Sequence, residues 1–103
     1  MITDNDRDLL EKAAKAAGIK DEMRLWGWWT PLTDDGDALR LAVKLALAVM
    51  PYPVFESPKH SVVVSQRNLE HSRFEVVELY ETDPYAATRR AIVRAAAMIG
   101  ELM

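Results

Sequence analysis

The stretch that most constrains this chain is residues 26–50, where three tryptophans, a proline turn, an aspartate cluster and a long apolar run follow one another. Thr33 or Asp34 can cap a helix there, and the aspartates load its first turn with negative charge, which favours the helix dipole. Nearly all later positions are apolar, which is typical of a helix buried between other elements. We therefore predict a central helix over residues 34–49, ended by the prolines at 51 and 53.

Two more helices are predicted from the signals at their ends. Thr3 opens a capping box for a helix over residues 4–17, and Gly18 is placed to close it in the left-handed conformation. Asp83 and Pro84 are typical of the N-cap and first position of a last helix, which runs to the C-terminus. The predicted buried faces are formed by Leu10, Ala13, Ala14 and Ala17, and by Ile92, Ala95, Ala96 and Ile99 with Leu102 or Met103.

Strands are predicted between the helices. Residues 60–66 and 73–80 are rich in β-branched and aromatic residues, and the polar segment 67–72 joins them, which predicts an antiparallel hairpin. The second of these strands has apolar residues on both faces, which predicts cover on both sides. With a weaker strand over residues 22–28, the order is α-β-α-β-β-α, an α+β fold with a small, mostly antiparallel sheet. Residues 51–58 are predicted to form a surface loop.

The composition fits one domain over residues 1–103, with a net charge of -3 and no cysteine. The lack of cysteine excludes disulfides, thiol nucleophiles and cysteine-based zinc sites, and it suits a reducing cytosol. The acidic balance gives no overall attraction to nucleic acid or to an anionic membrane. The charged N-terminal residues do not form a signal peptide, and the longest apolar run is too short to span a bilayer.

No residue cluster predicts an enzyme. The Asp34-Asp35-Gly36-Asp37 cluster lacks the spacing and distal glutamate of an EF-hand, so helix capping is favoured over a metal site. His60 and His71 have no catalytic motif around them, and the chain has no nucleophile elbow, zinc-protease motif or glycine-rich phosphate loop. We therefore predict a protein without catalytic residues, metal or cofactor.

Tryptophan and arginine side chains provide the candidate interaction surface. Tryptophans can stack on bases while arginines contact phosphates, but tryptophans also pack in cores, and arginines on an acidic protein also form solvated faces. Protein–protein interaction is therefore the leading expectation, and weak nucleic-acid binding is the alternative. The surplus of apolar side chains in a short chain further predicts a homodimer. The candidate surface comprises Trp26, Trp28, Trp29, Arg89, Arg90 and Arg94.

Two segments resemble a known protein family. Residues 29–45, from Trp29-Thr30-Pro31 to Val43-Lys44-Leu45, are similar to the hallmark segment of the phage ABA sandwich domain, and residues 83–97 are similar to its C-terminal helix. This family contains small bacteriophage and prophage proteins of unknown function. The resemblance implies an α-β-α sandwich, a phage or prophage origin and a place in the cytoplasm of the bacterial host. It implies no catalytic residues, and it does not extend to residues 52–81.

Overall fold

The computed structural model describes residues 3–52, 60–66 and 74–103. These residues form a small α+β domain with a three-stranded antiparallel sheet, so the predicted fold class is confirmed. The element order differs from the predicted one, because a third helix precedes the sheet and all three strands follow one another. The elements are α1 (Asp4–Ala17), α2 (Asp21–Leu25), α3 (Asp35–Lys44), β1 (Ala48–Tyr52), β2 (His60–Gln66), β3 (Phe74–Tyr80) and α4 (Pro84–Glu101).

Helix α1 has the predicted bounds, ends and buried face. The hydroxyl of Thr3 accepts from the Asp6 N–H at 3.1 Å, and the Asp6 carboxylate accepts from the Thr3 N–H at 3.3 Å, which completes the capping box. Gly18 has a φ of 69°, and the Ile19 N–H donates to the Ala14 carbonyl at 2.9 Å. These two features form a Schellman motif, which requires a left-handed residue that glycine adopts without steric cost.

The strand predicted over residues 22–28 is wrong, because most of this segment belongs to α2 and the turn after it. Gly27 has a φ of 77°, and the Trp28 N–H donates to the Met23 carbonyl at 2.9 Å. A second Schellman motif therefore closes a single helical turn. The acidic residues Asp21 and Glu22 begin this helix, where the helix dipole favours them. The alternation of polar and apolar residues is too short here to specify a strand.

Helix α3 starts as predicted but ends earlier. The carboxylate of Asp34 accepts from the Asp37 N–H at 2.8 Å, which confirms the N-cap. The predicted helix over residues 34–49 is too long, because Ala46 has a φ of 55° and the Leu47 N–H donates to the Ala42 carbonyl at 2.9 Å. This third Schellman motif separates α3 from β1, so one apolar run contains both a helix and a strand. Periodicity cannot divide a continuous apolar run in this way.

The sheet has the strand order β1-β2-β3, with both pairs antiparallel. The predicted pairing of the last two strands is confirmed, with Val64 opposite Val76. The loop prediction for residues 51–58 is wrong at its start, since Pro51 and Tyr52 belong to β1. Its remainder, and the predicted connection over residues 67–72, lie outside the described residues.

Helix α4 is the central helix of the domain, the role predicted for residues 34–49. It contacts α1, α3 and all three strands, and residues 91–93 and 95–97 are all buried. In α3, by contrast, Leu39 and Val43 are 63% and 72% exposed, and the buried residues are Ala38, Leu41 and Ala42. Among the described residues, no helix is long and apolar enough to cross a membrane.

The ends of α4 agree with the sequence only at the N-terminus. Asp83 accepts from the Ala86 N–H at 2.9 Å and Pro84 occupies the first turn, as predicted. Leu102 and Met103, predicted to extend the buried face, are exposed. Before them, Gly100 packs directly on the backbone of α1 at Lys12. This contact between two helix backbones fixes where α4 crosses α1.

One face of the sheet packs against α4 and the other does not. Val62, Val64 and Val76 face α4 and are buried. On the opposite face, Val77 and Leu79 are 48% and 59% exposed. The predicted cover on both sides of the sheet is therefore not found among the described residues.

Candidate interaction surface

The three tryptophans occupy two different environments. Trp26 and Trp28 are 66% and 64% exposed, whereas Trp29 is 7% exposed. The rings of Trp26 and Trp28 meet edge to face with their centroids 5.0 Å apart. Trp29 therefore packs in the core, whereas Trp26 and Trp28 lie at the surface.

Two further apolar residues close in sequence to the exposed tryptophans are exposed as well. Met23 and Leu25 of α2 are also exposed, and we call Met23, Leu25, Trp26 and Trp28 the tryptophan surface. Helix α2 has no buried residue and no side-chain hydrogen bond at its N-cap. The Nε atom of Arg24 is buried and has no hydrogen-bond partner among the described residues. Burial of α2 itself therefore does not account for the large apolar side chains that it carries.

A cavity of about 270 Å³ opens beside Trp28. Trp29 forms part of its wall, and the backbone after Trp29 is held to α3, because the Thr30 N–H donates to the Asp37 carboxylate at 2.9 Å. The cavity thus lies between the tryptophan surface and the N-terminal part of the core. Its lining residues are Ala17, Ile19, Met23, Trp28, Trp29, Asp37, Arg40, Leu41 and Lys44.

The aspartate cluster serves the fold. Asp34 caps α3, and Asp35 accepts from Arg89 at 2.6 Å. Burial acts to raise the pKa of Asp37, but the Thr30 N–H and the Arg40 guanidinium at 2.7 Å outweigh burial, so its pKa is below the ordinary value. Within residues 3–52, 60–66 and 74–103, no group of three or more histidine, aspartate and glutamate side chains could hold a metal ion.

The three candidate arginines each bind a carboxylate on a different part of the fold. Their pairs are Arg89 with Asp35 at 2.6 Å, Arg90 with Asp6 at 2.9 Å and Arg94 with Glu78 at 2.6 Å. Two of them also donate to backbone carbonyls, from Arg89 to Leu32 and from Arg94 to Val77. These side chains tie α4 to the start of α3, to α1 and to β3. None of them lines the cavity beside Trp28.

His60 lies at the start of β2. The rings of His60 and Tyr80 stack with their centroids 5.5 Å apart, and the two residues are paired across β2 and β3. His71 lies outside the described residues.

In addition to the cavity beside Trp28, an apolar groove of about 500 Å³ runs between α3, β1 and the start of α4. The sequence did not predict this groove, because the residues of β1 were divided between the predicted helix over residues 34–49 and the predicted loop over residues 51–58. Sequence reasoning also missed Met23 and Leu25, although Gly27 after an acidic helix start is a signal for a short helix that ends before Trp28. The groove is lined by Asp35, Ala38, Leu39, Val49, Pro51, Pro84, Tyr85, Thr88, Arg89 and Ile92.

Comparison of the chain with models of protein families, with curated proteins and with solved structures gives no match. The resemblance to the phage ABA sandwich domain therefore stays a prediction.

Proposed function

We propose that this protein is a non-enzymatic binding protein that contacts a partner protein through the tryptophan surface. The observation that carries the proposal is the exposure of two tryptophans, a leucine and a methionine within six residues of α2 and its turn. Tryptophan and methionine are enriched at the centres of protein interfaces, where a few large side chains supply most of the binding energy. The adjoining cavity can accept an apolar side chain of the partner.

Nucleic-acid binding is the second candidate, and the charges favour it less. A surface that binds single strands combines stacked aromatic rings with cations that contact the phosphates. Arg89, Arg90 and Arg94 instead bind carboxylates of this chain, and the net charge is -3. A nucleic acid would have to displace these pairs or combine the tryptophans with Arg40 and Lys44, which line the adjoining cavity.

The origin of the partner follows from the resemblance stated above. The similarity of residues 29–45 and 83–97 to the phage ABA sandwich domain supports a phage or prophage accessory protein. Its partner is then a phage protein or a host protein, and both are met in the cytoplasm of the bacterial host. The absence of a catalytic motif in the sequence supports a binding role.

The test uses the double variant Trp26→Ala/Trp28→Ala. Its two side chains are exposed, so we expect a melting temperature close to that of the parent and the loss of any protein that the parent captures from a lysate of phage-infected bacteria. The matched control is Tyr85→Ala, which removes another exposed aromatic ring, on α4. Capture should persist in this control. Equal capture by the parent and the double variant would contradict the proposal.

The nucleic-acid candidate is tested with the same variants. A labelled thymidine oligonucleotide of about 15 nucleotides covers the site size of a typical single-strand binder. We expect no binding to the parent protein at physiological salt. Binding that is lost in Trp26→Ala/Trp28→Ala and weakens steeply with salt would replace protein binding by nucleic-acid binding.

A further inference from the structure

The sheet face that points away from α4 forms a second, separate apolar surface, which we call the outer sheet face. Its middle row joins Met50, Val63 and Val77, which are paired across the three strands. Tyr52 and Leu79 extend it at one end and are 47% and 59% exposed. Only one of its nine residues is charged. They are Ala48, Met50, Tyr52, Ser61, Val63, Ser65, Glu75, Val77 and Leu79. Of these, Ser65 is buried, and Met50 and Val63 are half-buried.

Both edges of the sheet are poor places for another strand to pair. Pro51 has no N–H, and a strand proline directs its nitrogen away from the ladder, toward the free edge. Pro51 is opposite Val62, and Val62 is opposite Glu78. Because hydrogen-bonded and non-bonded pairs alternate, Val77 then directs its N–H and carbonyl toward the other free edge. There, Arg94 donates to the Val77 carbonyl at 3.1 Å. A partner therefore meets the face of this sheet and not its edges.

We propose that the outer sheet face binds a second copy of this chain, with the two sheets packed face to face around a twofold axis parallel to β2. Sheets packed in this way lie about 10 Å apart, with their strands within about 30° of each other. The proposal concerns residues separate from the tryptophan surface, so it does not depend on the proposed function.

The pattern on the face fits its own copy. The twofold axis along β2 places β1 of one subunit over β3 of the other. Met50 then lies opposite Val77 of the partner subunit, and Tyr52 lies opposite Leu79 of the partner subunit. Every large exposed side chain of the face thus meets another large apolar side chain.

The charged residue of the face is also accommodated. Glu75 lies opposite the small residue Ala48 of the partner subunit. The two copies of Glu75 are on different strands and different sheets, roughly 14 Å apart for ordinary sheet spacings. This exceeds the screening length of about 8 Å at physiological salt, so their repulsion is weak. A partner with a basic face is not needed to neutralise a single peripheral carboxylate.

The size of the face sets the strength of the dimer. Three strands about 4.8 Å apart and about 20 Å long present roughly 300 Å² of sheet plane on each copy. Stable complexes bury about 800 Å² of surface on each partner. The face is smaller than that of a stable complex, so we expect a weak dimer whose population depends on concentration.

The test is sedimentation equilibrium of the full chain from about 10 μM to about 1 mM, a range suited to a weak complex. The decisive variant is Leu79→Lys, and Leu39→Lys is its control, because both leucines are exposed to a similar degree, 59% and 63%. We expect Leu79→Lys to raise the dissociation constant more than about tenfold and Leu39→Lys to leave it within about twofold. The double variant Trp26→Ala/Trp28→Ala should dimerise like the parent.

A second measurement keeps the test informative if Leu79→Lys unfolds. The chain has no cysteine, so a single Ser61→Cys places one thiol on β2 close to the proposed axis. A bismaleimide with a reach of about 10 Å should join two copies of this variant, since that is the sheet separation, and should not join two copies of Tyr85→Cys. A purely monomeric mass at every concentration would overturn the proposal. So would a dimer that is equally sensitive at Leu79 and Leu39, or cross-linking at Tyr85→Cys without cross-linking at Ser61→Cys.

Discussion

Helices α3 and α4 differ in how much of their surface the rest of the domain covers. Helix α3 carries Leu39, Leu41 and Val43, yet its outer face is exposed. Helix α4 is built largely of alanine and carries three arginines, yet it contacts α1, α3 and all three strands. The number of neighbouring elements therefore decides which helix is central, and small side chains allow a helix to have many neighbours.

The side chains of α4 explain how it accommodates those neighbours. Alanine at 91, 95, 96 and 97 leaves room for other backbones to approach. The closest approach is at Gly100, which packs directly against the backbone of Lys12. The long arginines reach past the close contacts to carboxylates at the rim. Helix α3 has no comparable stripe of small residues, and it packs through the narrow face of Ala38, Leu41 and Ala42.

The largest expected effect on the free energy of unfolding is the difference between an alanine substitution at the glycine of α4 and one at the glycine of α3. A Cβ atom at Gly100 would lie 2.7 Å from the Lys12 carbonyl carbon and closer still to its oxygen, so α1 and α4 would have to move apart. We expect Gly100→Ala to lower the free energy of unfolding by about 3 kcal/mol, as strong overpacking does. Urea denaturation measures this loss directly.

The control is Gly36→Ala in α3. A Cβ there meets the end of the Arg40 side chain at 3.2 Å and the carboxylate of the N-cap Asp34 at 3.3 Å, so these side chains need to move by only a few tenths of an ångström. Alanine also favours the helix by up to about 1 kcal/mol relative to glycine. We therefore expect Gly36→Ala to be neutral or slightly stabilising. Equal losses at both glycines would show that α4 has no special proximity to α1.

The next effect compares one valine from each helix. Val93 of α4 is fully buried, and Val43 of α3 is mostly exposed. We expect Val93→Ala to cost about 2–3 kcal/mol, because it removes two buried methyl groups and leaves a cavity. Val43→Ala should change the free energy of unfolding by less than about 0.5 kcal/mol. Comparable costs in thermal melts would mean that Val43 is covered in solution.

The sequence predicts helix ends better than it predicts which helix is central. The capping box at Thr3, the left-handed Gly18 and the cap at Asp83 depend on neighbouring residues, and all three are confirmed. The division of residues 35–52 into α3 and β1 depends on long-range pairing of β1 with β2, which no local pattern records. The position of α4 likewise depends on contacts with elements far away in sequence.

The sequence predicts only part of the candidate surface, because burial and ion pairing also depend on residues far away in the chain. An exposed tryptophan and a buried one have the same sequence signature, so Trp26 and Trp28 could not be separated from Trp29 before the turn at Gly27 was known. The arginines of α4 have carboxylate partners far away in sequence, as in the pair of Arg90 with Asp6. A basic stripe on one helix therefore says little about whether its charges are free.

A smaller effect on the free energy of unfolding is expected at the end of α3. Ala46 adopts the left-handed conformation that Gly18 adopts at the end of α1. That conformation costs an alanine about 1–2 kcal/mol, part of which is offset by the greater freedom of glycine in the unfolded chain. We expect Ala46→Gly to stabilise the fold by about 0.5–1 kcal/mol and Gly18→Ala to destabilise it by about 1 kcal/mol. A loss of stability in Ala46→Gly would contradict the strain assigned to α3.

The smallest effect compares the ion pairs that tie each neighbouring helix to α4. Asp6 of α1 binds Arg90, and this hydrogen bond, with the Thr3 N–H, holds the pKa of Asp6 below its ordinary value despite partial burial. A lowered pKa in the folded state means that the pair stabilises the protein above pH 3.8 and that this contribution is lost as the pH falls through the lowered value. Asp6→Asn keeps an acceptor for the Thr3 N–H, so we expect a cost of about 0.5–1 kcal/mol at neutral pH.

Asp35→Asn breaks the corresponding pair of α3 with Arg89. The carboxylate of Asp35 is largely exposed, whereas that of Asp6 is 15% exposed, so solvent screens the first pair more strongly. We expect Asp35→Asn to cost less than about 0.5 kcal/mol, as exposed pairs do. Urea denaturation of both variants across acidic and neutral pH makes the comparison. The difference in unfolding free energy between the parent and Asp6→Asn should be constant at neutral pH. It should disappear in acid, because the parent loses its Asp6 charge there and the variant has no charge to lose. A deficit that persists unchanged in strong acid would show that Asp6 stabilises the contact of α1 with α4 by packing and not by charge.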